Sequence, residues 1–472
     1  MKMEKWDKYL EYNRNLQEAV SVLSEIEEAG YKAYIVGGTP RDMVIGGLEI
    51  TDVDIATNCP IDKLDEMFTT HDIGQSRDFG IVVIKSKHYY FETAQFRKDK
   101  EYIDGRHPSG IQVVGDLKMD IERRDFTVNA LALTKEGKII DYVGGIDDIK
   151  NKVIRTVGDP FNRFREDYVR MIRAARFGSL DGFKINIETK FAIRTIAHLV
   201  NRVTPERIRL ELVKAAGKPG KMFARFIMTL ENLDLLKHIL PEVSDLKNYP
   251  HRLEFHPEGP LVWDHIIKCL EISNKNYLSQ LAVLLHDIGK AKTLKFREDG
   301  KPQYYFHAKV GSEMVADICD RLKFSSFQKE ALIYSTMNHM KWHKILEMKP
   351  SKIGRMMDSP YFETLIDVCE ADEFSRGEKF MDKGYFKKQL EHALDIKRKW
   401  ELQQLKRPIR IVDGNRVMEL TRLKPSKLVG KIKEEVEDYI IDNDIDYEDQ
   451  KEVDKLISSV FKEITEGEEI NK

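Results

Sequence analysis

Two aspartates separated by one residue, Asp52 and Asp54, have the type and spacing that metal chemistry needs. They lie in a predicted strand, 52–56, which follows another predicted strand at 34–36. Because successive side chains of a strand point to opposite faces, we expect both carboxylates on one face of a sheet. Such a pair can share Mg²⁺, which prefers oxygen ligands and keeps positions open for substrate phosphates.

The turn between these two predicted strands adds a place for an anion. Gly37 and Gly38 let backbone N–H groups approach phosphate oxygens, and the helix predicted from Arg41 adds a partial positive charge at its start. An ordinary strand–turn–helix with two solvated aspartates is the alternative. The fixed order of Gly-Gly, Arg41-Asp42 and the aspartate pair favours a triphosphate cradle beside a metal site.

Two further segments are rich in arginine. Arg123 and Arg124, followed by Asp125, suit triphosphate oxygens because guanidinium groups bind phosphate through paired hydrogen bonds. The segment RFREDYVRMIRAARF is predicted as one helix, in which four charged residues recur at three-residue steps that drift around the axis by about 60° each: Asp167, Arg170, Arg173 and Arg176. Asp167 and Arg170 can then face one ligand, although an exposed helix laced with ion pairs is the alternative.

A carboxylate beside an arginine has a possible role in choosing a nucleobase. Cytosine and adenine both present an amine donor next to a ring-nitrogen acceptor on the pairing edge, whereas uracil and guanine present the reverse. Asp167 as acceptor and Arg170 as donor would therefore accept C and A and reject U and G.

Taken together, the motifs GGTPRD, TDVDIAT, RRDFTVNALAL and EDYVRMIRAARF resemble those of class II CCA-adding tRNA nucleotidyltransferases and bacterial poly(A) polymerases. The resemblance implies a head with the nucleotidyltransferase fold of the DNA polymerase β superfamily. It also implies that Asp52 and Asp54 hold two Mg²⁺ ions, and Glu92 is a candidate third carboxylate.

The same resemblance assigns roles to the remaining residues of the head. The triphosphate is contacted by Gly37, Gly38 and Arg41 with Arg123 or Arg124, Asp125 lies near the ribose, Asp167 and Arg170 read the base, and Arg173 and Arg176 support the nucleotide or the helix. The segment TPERIRLEL, 204–212, resembles the last head–neck motif and is predicted to be structural support. Residues 97–113 are predicted to be a mobile loop.

A second group of chemical residues begins near residue 250, where histidines concentrate. Imidazole and carboxylate ligands together suit Mn²⁺, Fe²⁺, Ni²⁺ or Zn²⁺. The series resembles an HD-domain metal-dependent phosphohydrolase, in which one metal is held by His265, His286, Asp287 and Asp372, and a second by the extra positions His307 and His339. Hydroxide on such a metal attacks a phosphoester. The alternative is a vestigial HD scaffold that serves only shape or oligomer contacts.

Composition bounds the class of protein. The 472 residues suffice for about three domains, and the formal net charge of −2 does not by itself indicate a nucleic-acid binder. Four well-separated cysteines argue against a zinc site or a disulfide framework and fit a reducing cytoplasm. Neither a signal peptide nor a membrane span is predicted.

We predict an α+β chain with a polymerase-β-like head, in which helices surround a small mixed sheet, followed by all-α parts. The boundaries are 1–157 for the nucleotidyltransferase head, 158–248 for a neck and body of RNA-binding helices, 249–380 for the HD domain and 381–472 for a helical tail. The tail lysines could meet tRNA phosphates, with a solvated face as the alternative of equal weight: Lys424, Lys427, Lys431 and Lys433.

Three functions are compatible with these observations. The first is addition of C, C and A, from CTP and ATP, to the 3′ end of tRNA, with the tRNA acceptor arm as a partner. The second is the same chemistry restricted to A addition or extended to poly(A) synthesis. The third is an HD phosphohydrolase whose head only binds RNA or nucleotide. The oligomeric state and the metal of the HD domain stay open.

Overall fold

The computed structural model describes residues 6–47, 49–50, 52–72, 74, 76–99, 111–376, 383–406, 412–443, 445 and 448–469. The chain divides into two compact units. The first comprises Met1–Tyr249, Ser273–Gln280 and Asp317–Phe324, and the second comprises Pro250–Ile272, Leu281–Ala316 and Ser325–Lys472. Among the described residues, no helix combines the length and the apolar character that crossing a membrane requires.

The first unit is built on a seven-stranded mixed sheet. The strands of the head are β1 Ala33–Val36, β2 Asp54–Thr57, β3 Thr69–His71, β4 Ile81–Ser86, β5 Tyr89–Gln95, β6 Arg97–Asp99, β7 Ile111–Val113, β8 Leu131–Leu133 and β9 Ile139–Asp141. The sheet order is β3-β4-β5-β2-β1-β8-β9. The pair β2–β5 is parallel and its neighbours are antiparallel, so the predicted mixed sheet is confirmed.

Two details of the head differ from the sequence predictions. Strand β2 begins at Asp54, so Asp52 lies in irregular chain before the strand and the argument from alternating faces does not apply to it. Strands β6 and β7 pair with each other at the two ends of the predicted loop 97–113, and the middle of that loop lies outside the described residues.

The first unit begins with two consecutive helices, Trp6–Tyr12 and Arg14–Glu28. Asn13 separates them, because its side-chain amide donates to Tyr9 O at 2.9 Å while its Oδ1 accepts from Ile50 N at 3.0 Å. The helices are Trp6–Tyr12, Arg14–Glu28, Gly38–Ile45, Ile61–Met67, Leu117–Glu122, Gly145–Lys150, Pro160–Glu166, Val169–Gly178, Ile187–Ile196, Pro205–Ala216, Gly220–Asn232, Leu236–Ile239 and Pro241–Ser244.

Two short strands accompany the mostly helical neck. Strand β10, Val153–Ile154, pairs in parallel with β11, Lys184–Ile185. Short 3-10 helices connect several elements at Ser76–Phe79, Thr127–Asn129, Ala197–Arg202, Asp245–Asn248 and Ile345–Glu347. The buried side of the sheet next to the aspartate segment is apolar, with Val36, Ala56 and Phe96 packed on Leu117 and Ile121 of a neighbouring helix.

Among the described residues from 262 onward, the regular elements are helices, apart from one hairpin formed by β12 Lys295–Phe296 and β13 Pro302–Gln303. The helices are Val262–Ile272, Tyr277–Leu285, Lys290–Thr293, His307–Arg321, Ser326–Trp342, Pro350–Met357, Phe362–Ser375, Lys383–Lys406, Gly414–Thr421, Lys427–Asp442 and Gln450–Glu469. The predicted fold class, an α+β head followed by mostly helical domains, is confirmed.

Candidate active sites

A cavity of about 960 Å³ in the first unit collects the residues that the sequence predicted for nucleotide transfer. Its lining includes Gly37, Gly38, Arg41, Asp52, Asp54, Glu92, Arg123, Arg124, Asp125, Asp167, Arg170, Arg173 and Arg176. These residues come from segments up to 139 positions apart, between Gly37 and Arg176. The fold therefore brings every predicted head residue to one place, while the role of each stays a prediction.

The turn after β1 places a backbone cradle directly against Asp54. Gly37 has φ +77°, in the left-handed region, and a Cβ built there would lie 2.5 Å from Asp54 Oδ2. Only glycine satisfies both conditions. The helix Gly38–Ile45 starts at the next residue, and Thr39 Oγ1 donates to Asp52 O at 2.6 Å. This bond ties the start of the helix to the irregular segment that carries Asp52.

Three carboxylates share this end of the cavity. Burial raises the pKa of Asp54 to about 6, repulsion from Glu92 and Asp52 adds to the rise, and Arg124 opposes it. Glu92 lies on β5 next to β2, where Ile55 pairs with Thr93, and Asp52 is exposed. Clustered carboxylates that repel one another are stabilised by a cation, and three oxygen donors are the ligands that Mg²⁺ prefers.

The arginine pair of the second motif is anchored by a buried carboxylate. Asp120 is 1% exposed and accepts from Arg123 Nη2 at 2.7 Å and Arg124 Nη2 at 3.1 Å. On the opposite wall, Arg41 Nη1 donates to Asn129 Oδ1 at 2.7 Å. Because these guanidinium groups are held by protein acceptors, their orientation toward the cavity is set before a ligand arrives.

The predicted helix that carries Asp167 is interrupted, which corrects the sequence prediction. One helix ends at Glu166 and the next begins at Val169, and Asp167 between them has extended backbone with φ −155° and ψ 107°. Its carboxylate accepts from Val169 N at 3.1 Å, as a residue at a helix start does. The break occurs because this short side chain satisfies the new helix end, which composition alone did not reveal.

Asp167 and Arg170 line the same cavity but bind other partners. Asp167 accepts two hydrogen bonds from Arg207, at 3.0 and 2.6 Å. Arg170 Nη1 donates to Glu166 Oε2 at 2.5 Å and to Arg163 O at 3.0 Å. The carboxylate and the guanidinium are therefore each oriented separately.

The outer part of this wall is built from further ion pairs. Arg173 Nε donates to Asp125 Oδ2 at 2.8 Å, and Arg176 Nε donates to Glu211 Oε2 at 2.6 Å. Burial opposes ionisation of Asp125, but attraction to Arg173 and Arg170 holds the pKa of Asp125 below its ordinary value. The predicted residues thus form a network rather than a row on one helix.

Two cavity residues, Arg207 and Glu211, were predicted only as structural support. They line the cavity and bind Asp167 and Arg176 directly. Their spacing of four residues on the helix Pro205–Ala216 places them on one face. That spacing is the sequence signal that could have identified them.

A second cavity, of about 460 Å³, lies in the second unit and is lined by HD-domain residues. Asp287 is at the centre of the cluster. Its Oδ2 lies 3.6 Å from His265 Nε2 and 3.4 Å from His286 Nε2, and its Oδ1 lies 3.3 Å from His307 Nε2 and 3.7 Å from His339 Nε2. Each oxygen of one carboxylate therefore faces its own pair of imidazoles.

The imidazoles are held so that their Nε2 atoms face inward. The Nδ1 atoms of His286, His307 and His339 each lie 2.8 Å from a backbone carbonyl oxygen, of Val283, Tyr304 and Thr336 respectively. Donation from Nδ1 leaves the Nε2 lone pair for a metal. His286 is 1% exposed, and among the described residues its Nε2 makes no hydrogen bond. This set fits a transition metal.

Charge states in this cluster also suit metal binding. Burial opposes ionisation of Asp287, yet Lys290 and His286 hold the pKa of this carboxyl well below its usual range. Burial lowers the pKa of His339 to about 3, helped by nearby His286. Asp372 Oδ1 lies 3.3 Å from His265 Nε2, which completes the predicted set in one place.

The sequence analysis missed several residues of this cavity. His251, His256, Lys290, His343 and Arg376 all line it. His343 Nε2 lies 3.3 Å from Asp372 Oδ2. Lys290 Nζ donates to Asp287 Oδ2 at 2.5 Å and lies 2.9 Å from His251 Nε2. For His251 and His256, the sequence signal was the presence of two histidines within residues 251–256, shortly before the first predicted ligand, His265.

Comparison with known proteins identifies the family of both the head and the HD-containing region. Three family models match: "Poly A polymerase head domain" at residues 33–155, "Probable RNA and SrmB- binding site of polymerase A" at 182–247 and "HD domain" at 262–377. The fold is also similar to the solved Bacillus stearothermophilus CCA-adding enzyme in complex with CTP, with a TM-score of 0.68 and 23% identity over 98% of this chain and 100% of that chain.

Curated relatives extend the comparison to sequence. A CCA-adding enzyme of Ligilactobacillus salivarius (strain UCC118) is 42% identical over 199 residues, 42% of this chain and 48% of that protein. The match thus spans about half the length of that relative. A CCA-adding enzyme of Bacillus cereus (strain AH187) is 31% identical over 322 residues, 65% of this chain and 78% of that protein. The resemblance inferred from the sequence motifs is thereby confirmed, and the chain belongs to the family of CCA-adding enzymes.

Proposed function

We propose that this chain adds C, C and A, from CTP and ATP, to the 3′ end of tRNA. The observation that carries the proposal is a single cavity in which three carboxylates, an arginine-rich wall and the Asp167–Arg170 segment meet. The curated relatives are CCA-adding enzymes, and a solved protein of similar fold was obtained with CTP, which supports the same reaction.

The carboxylate end of the cavity is the proposed catalytic centre. Asp52 and Asp54 would hold two Mg²⁺ ions, with Glu92 beside them as a third carboxylate. Bound Mg²⁺ promotes ionisation of an attacking hydroxyl and offsets charge on departing pyrophosphate. The protein itself contributes the fixed spacing of the carboxylates, which follows from the Gly37 turn and the Thr39 bond to Asp52 O.

The triphosphate is proposed to lie along the glycine turn and the arginines. Gly37 and Gly38 bring backbone N–H groups and the start of a helix to the cavity, and Arg41 lines it from the same helix. Arg123 or Arg124 supplies the facing guanidinium. Because both arginines are held by buried Asp120, they meet the phosphates with little further ordering.

Base selection is proposed to rest on Asp167 and Arg170. An ionised carboxylate offers about four acceptor positions, and three bonds from Arg207 and Val169 N leave one for the exocyclic amine of C or A. Arg170 supplies the donor for the ring nitrogen. The supporting roles proposed are contact with the ribose for Asp125 and reinforcement of this wall for Arg173 and Arg176.

Addition of A alone and poly(A) synthesis would use the same cavity, so product length must be measured. The test is incubation of the purified protein with tRNAs that end at the discriminator base, at C and at CC, each with one labelled nucleotide. We expect C to be added to the first two and A to the third. If C is not added to the first two tRNAs, the proposed function is reduced to A addition.

A second candidate activity is favoured by the four imidazoles that converge on Asp287. We propose that His265, His286, Asp287 and Asp372 hold one divalent transition metal, and that His307 and His339 with Asp287 hold a second. The candidates are Mn²⁺, Fe²⁺, Ni²⁺ and Zn²⁺, and the chemistry supplied is hydrolysis of a phosphoester. Metal analysis of protein purified without chelator or nickel resin tests this site, and a metal-free protein would leave it a vestigial scaffold.

The third function is an HD phosphohydrolase whose head only binds RNA or nucleotide. Variants of the two sites distinguish this function from nucleotide addition. Asp52→Ala with Asp54→Ala would then leave the main activity intact, whereas His286→Ala would abolish it.

The proposed compartment is the cytoplasm, since all four cysteines are free thiols. The tail, where Lys424, Lys427 and Lys431 are exposed, is proposed to contact phosphates in the outer arm of tRNA.

A further inference from the structure

A buried glutamate lies directly behind one proposed metal ligand of the HD cavity. Glu258 precedes the helix Val262–Ile272, and its side chain is 2% exposed. Its Oε1 lies 2.7 Å from His265 Nδ1 and 3.0 Å from His256 Nδ1. The segment that carries it is closed by a β-bridge between Pro250 and Leu261. This closure fixes the position of the carboxylate relative to the helix.

The contact determines which nitrogen of His265 faces the metal position. A carboxylate that accepts from Nδ1 leaves Nε2 as the ligand atom. His265 Nε2 lies 3.3 Å from Asp372 Oδ1 and 3.6 Å from Asp287 Oδ2, so it points to the other ligands. The remaining three imidazoles use backbone carbonyls for the same purpose. Ser375 Oγ also lies 3.3 Å from His265 Nδ1, but it is more distant and carries no charge.

A separate metal site formed by His251, His256, Glu258 and His265 is the competing interpretation, because their ligand atoms lie within 4.8 Å of one another. The ring geometry argues against it. His251 and His256 stack with centroids 3.6 Å apart and an interplanar angle of 17°. Lone pairs lie in the ring plane, so two stacked, nearly parallel rings cannot both aim at one ion. The nitrogen of His265 on this side is also already bound to Glu258.

We propose that Glu258 is a positioning residue that orients His265 for metal binding in the HD domain. The inference rests on the proposed metal site of that domain. Partners of this kind affect metal affinity by about 10- to 100-fold when they are removed. His256 shares the same carboxylate oxygen and keeps Glu258 in place from the other side.

The test is the metal affinity of the full-length protein, freed of metal by a chelator and titrated with Mn²⁺ or Zn²⁺ against a competing dye. Glu258→Ala should weaken binding by about 10- to 100-fold. Glu258→Gln keeps the shape and one acceptor oxygen, so it should fall between Glu258→Ala and the wild type. Glu254→Gln is the matched control, because Glu254 is 51% exposed and pairs with Arg252 and Lys301 instead.

Each outcome has one meaning. Weaker binding by Glu258→Ala and Glu258→Gln, with thermal unfolding close to the wild type and an unchanged Glu254→Gln, supports the positioning role. Wild-type affinity in Glu258→Ala, or an equal loss in Glu254→Gln, overturns it while the metal site stands. A wild-type protein that takes up neither metal overturns the metal site itself.

Discussion

Asp54 combines burial with two neighbouring carboxylates, an arrangement that destabilises its own charge. Burial, together with repulsion from Glu92 and Asp52, raises the pKa of Asp54 to about 6, against the opposing effect of Arg124. Ionisation of Asp54 is therefore unfavourable in the protein alone, and a bound cation would make it favourable. A carboxyl in such surroundings is a candidate for a functional residue.

We predict that Asp54→Asn abolishes nucleotide addition without harming stability. The amide is a poor metal ligand, so the initial rate of C addition to tRNA should fall by more than about 100-fold. Removing a repelled carboxylate should leave the thermal unfolding temperature equal or higher. A variant that unfolds at a clearly lower temperature would mean that Asp54 has a structural role.

Asp120 shows the opposite balance, because it stabilises the head. Burial alone would raise the pKa of Asp120, but Arg123 and Arg124 hold it below its ordinary value. A carboxyl with a lowered folded-state pKa contributes stability above its unfolded pKa and loses that contribution as pH falls through the folded pKa.

We predict that Asp120→Asn lowers the free energy of unfolding by about 3–5 kcal/mol at neutral pH, the usual effect of removing one partner from a buried ion pair. The difference from the wild type should shrink as pH falls below about 4, the ordinary pKa of an unfolded aspartate, and should be lost once pH passes below the lower folded-state pKa, where the wild-type carboxyl is itself protonated. Denaturant unfolding at neutral and acid pH measures both quantities. A difference that does not change with pH would show that the ion pairs do not supply the stability.

Local features of the helices, strands and loops differ in how well they could be predicted from the sequence. Glycine and aspartate spacing predicted the strand, turn and helix of the head, because those residue types act through neighbouring backbone. The break at Asp167 was not predicted, because the recurring charges on both sides of it suggested one continuous helix. The stacked His251 and His256 were missed because a loop has no periodicity that links its side chains to a distant site.

The role of the Gly37 turn in catalysis can be tested by comparison with Gly30, a glycine that differs from Gly37 in one respect. Gly37 and Gly30 both have positive φ, +77° and +91°, but a Cβ at Gly30 would meet nothing within 4 Å. Alanine at either position should destabilise the protein through backbone strain of about 1–2 kcal/mol. Only Gly37→Ala should also lose nucleotide addition, because its Cβ collides with Asp54. Similar rates of nucleotide addition for both variants would show that the Gly37 turn does not contribute to catalysis.

The helix Pro205–Ala216 supports Asp167 through Arg207. Arg207→Met should leave Asp167 poorly oriented and reduce discrimination of CTP over UTP by about 5- to 100-fold, the range of a lost bidentate contact. Arg209→Met is the control, because residues two apart on a helix do not share a face. The measurement is the ratio of kcat/KM for the two nucleotides. If Arg209→Met reduced this ratio as much, the effect would belong to the helix and not to Arg207.

At the scale of the whole molecule, the chain has two candidate metal sites with different ligand atoms. The head cavity offers oxygen ligands, whereas the HD cavity offers imidazoles around one carboxylate. Family membership and fold class were predictable from sequence because each motif is a short, contiguous run of residues. The ion pairs that join distant segments, such as Arg207 with Asp167, were not predicted, because spacing within a helix indicates which side chains share a face but not which distant residue they contact.

We predict that the two sites can be disabled independently. Asp54→Asn should leave uptake of Mn²⁺ or Zn²⁺ by the HD cavity at the wild-type level, and His286→Ala should lower that uptake while C addition continues. Metal content and C addition measured on both variants provide the comparison. Loss of both properties in either variant would contradict independence.

The central claim is that Asp52 and Asp54 hold the catalytic metal while Asp167 and Arg170 read the base in the same cavity. A crystal structure with CTP and Mn²⁺, whose anomalous scattering locates the metal, tests it most directly. We expect a metal peak at Asp52 and Asp54 and the pairing edge of cytosine on Asp167 and Arg170. A metal peak away from the two aspartates, or a cytosine bound elsewhere on the wall, would contradict it.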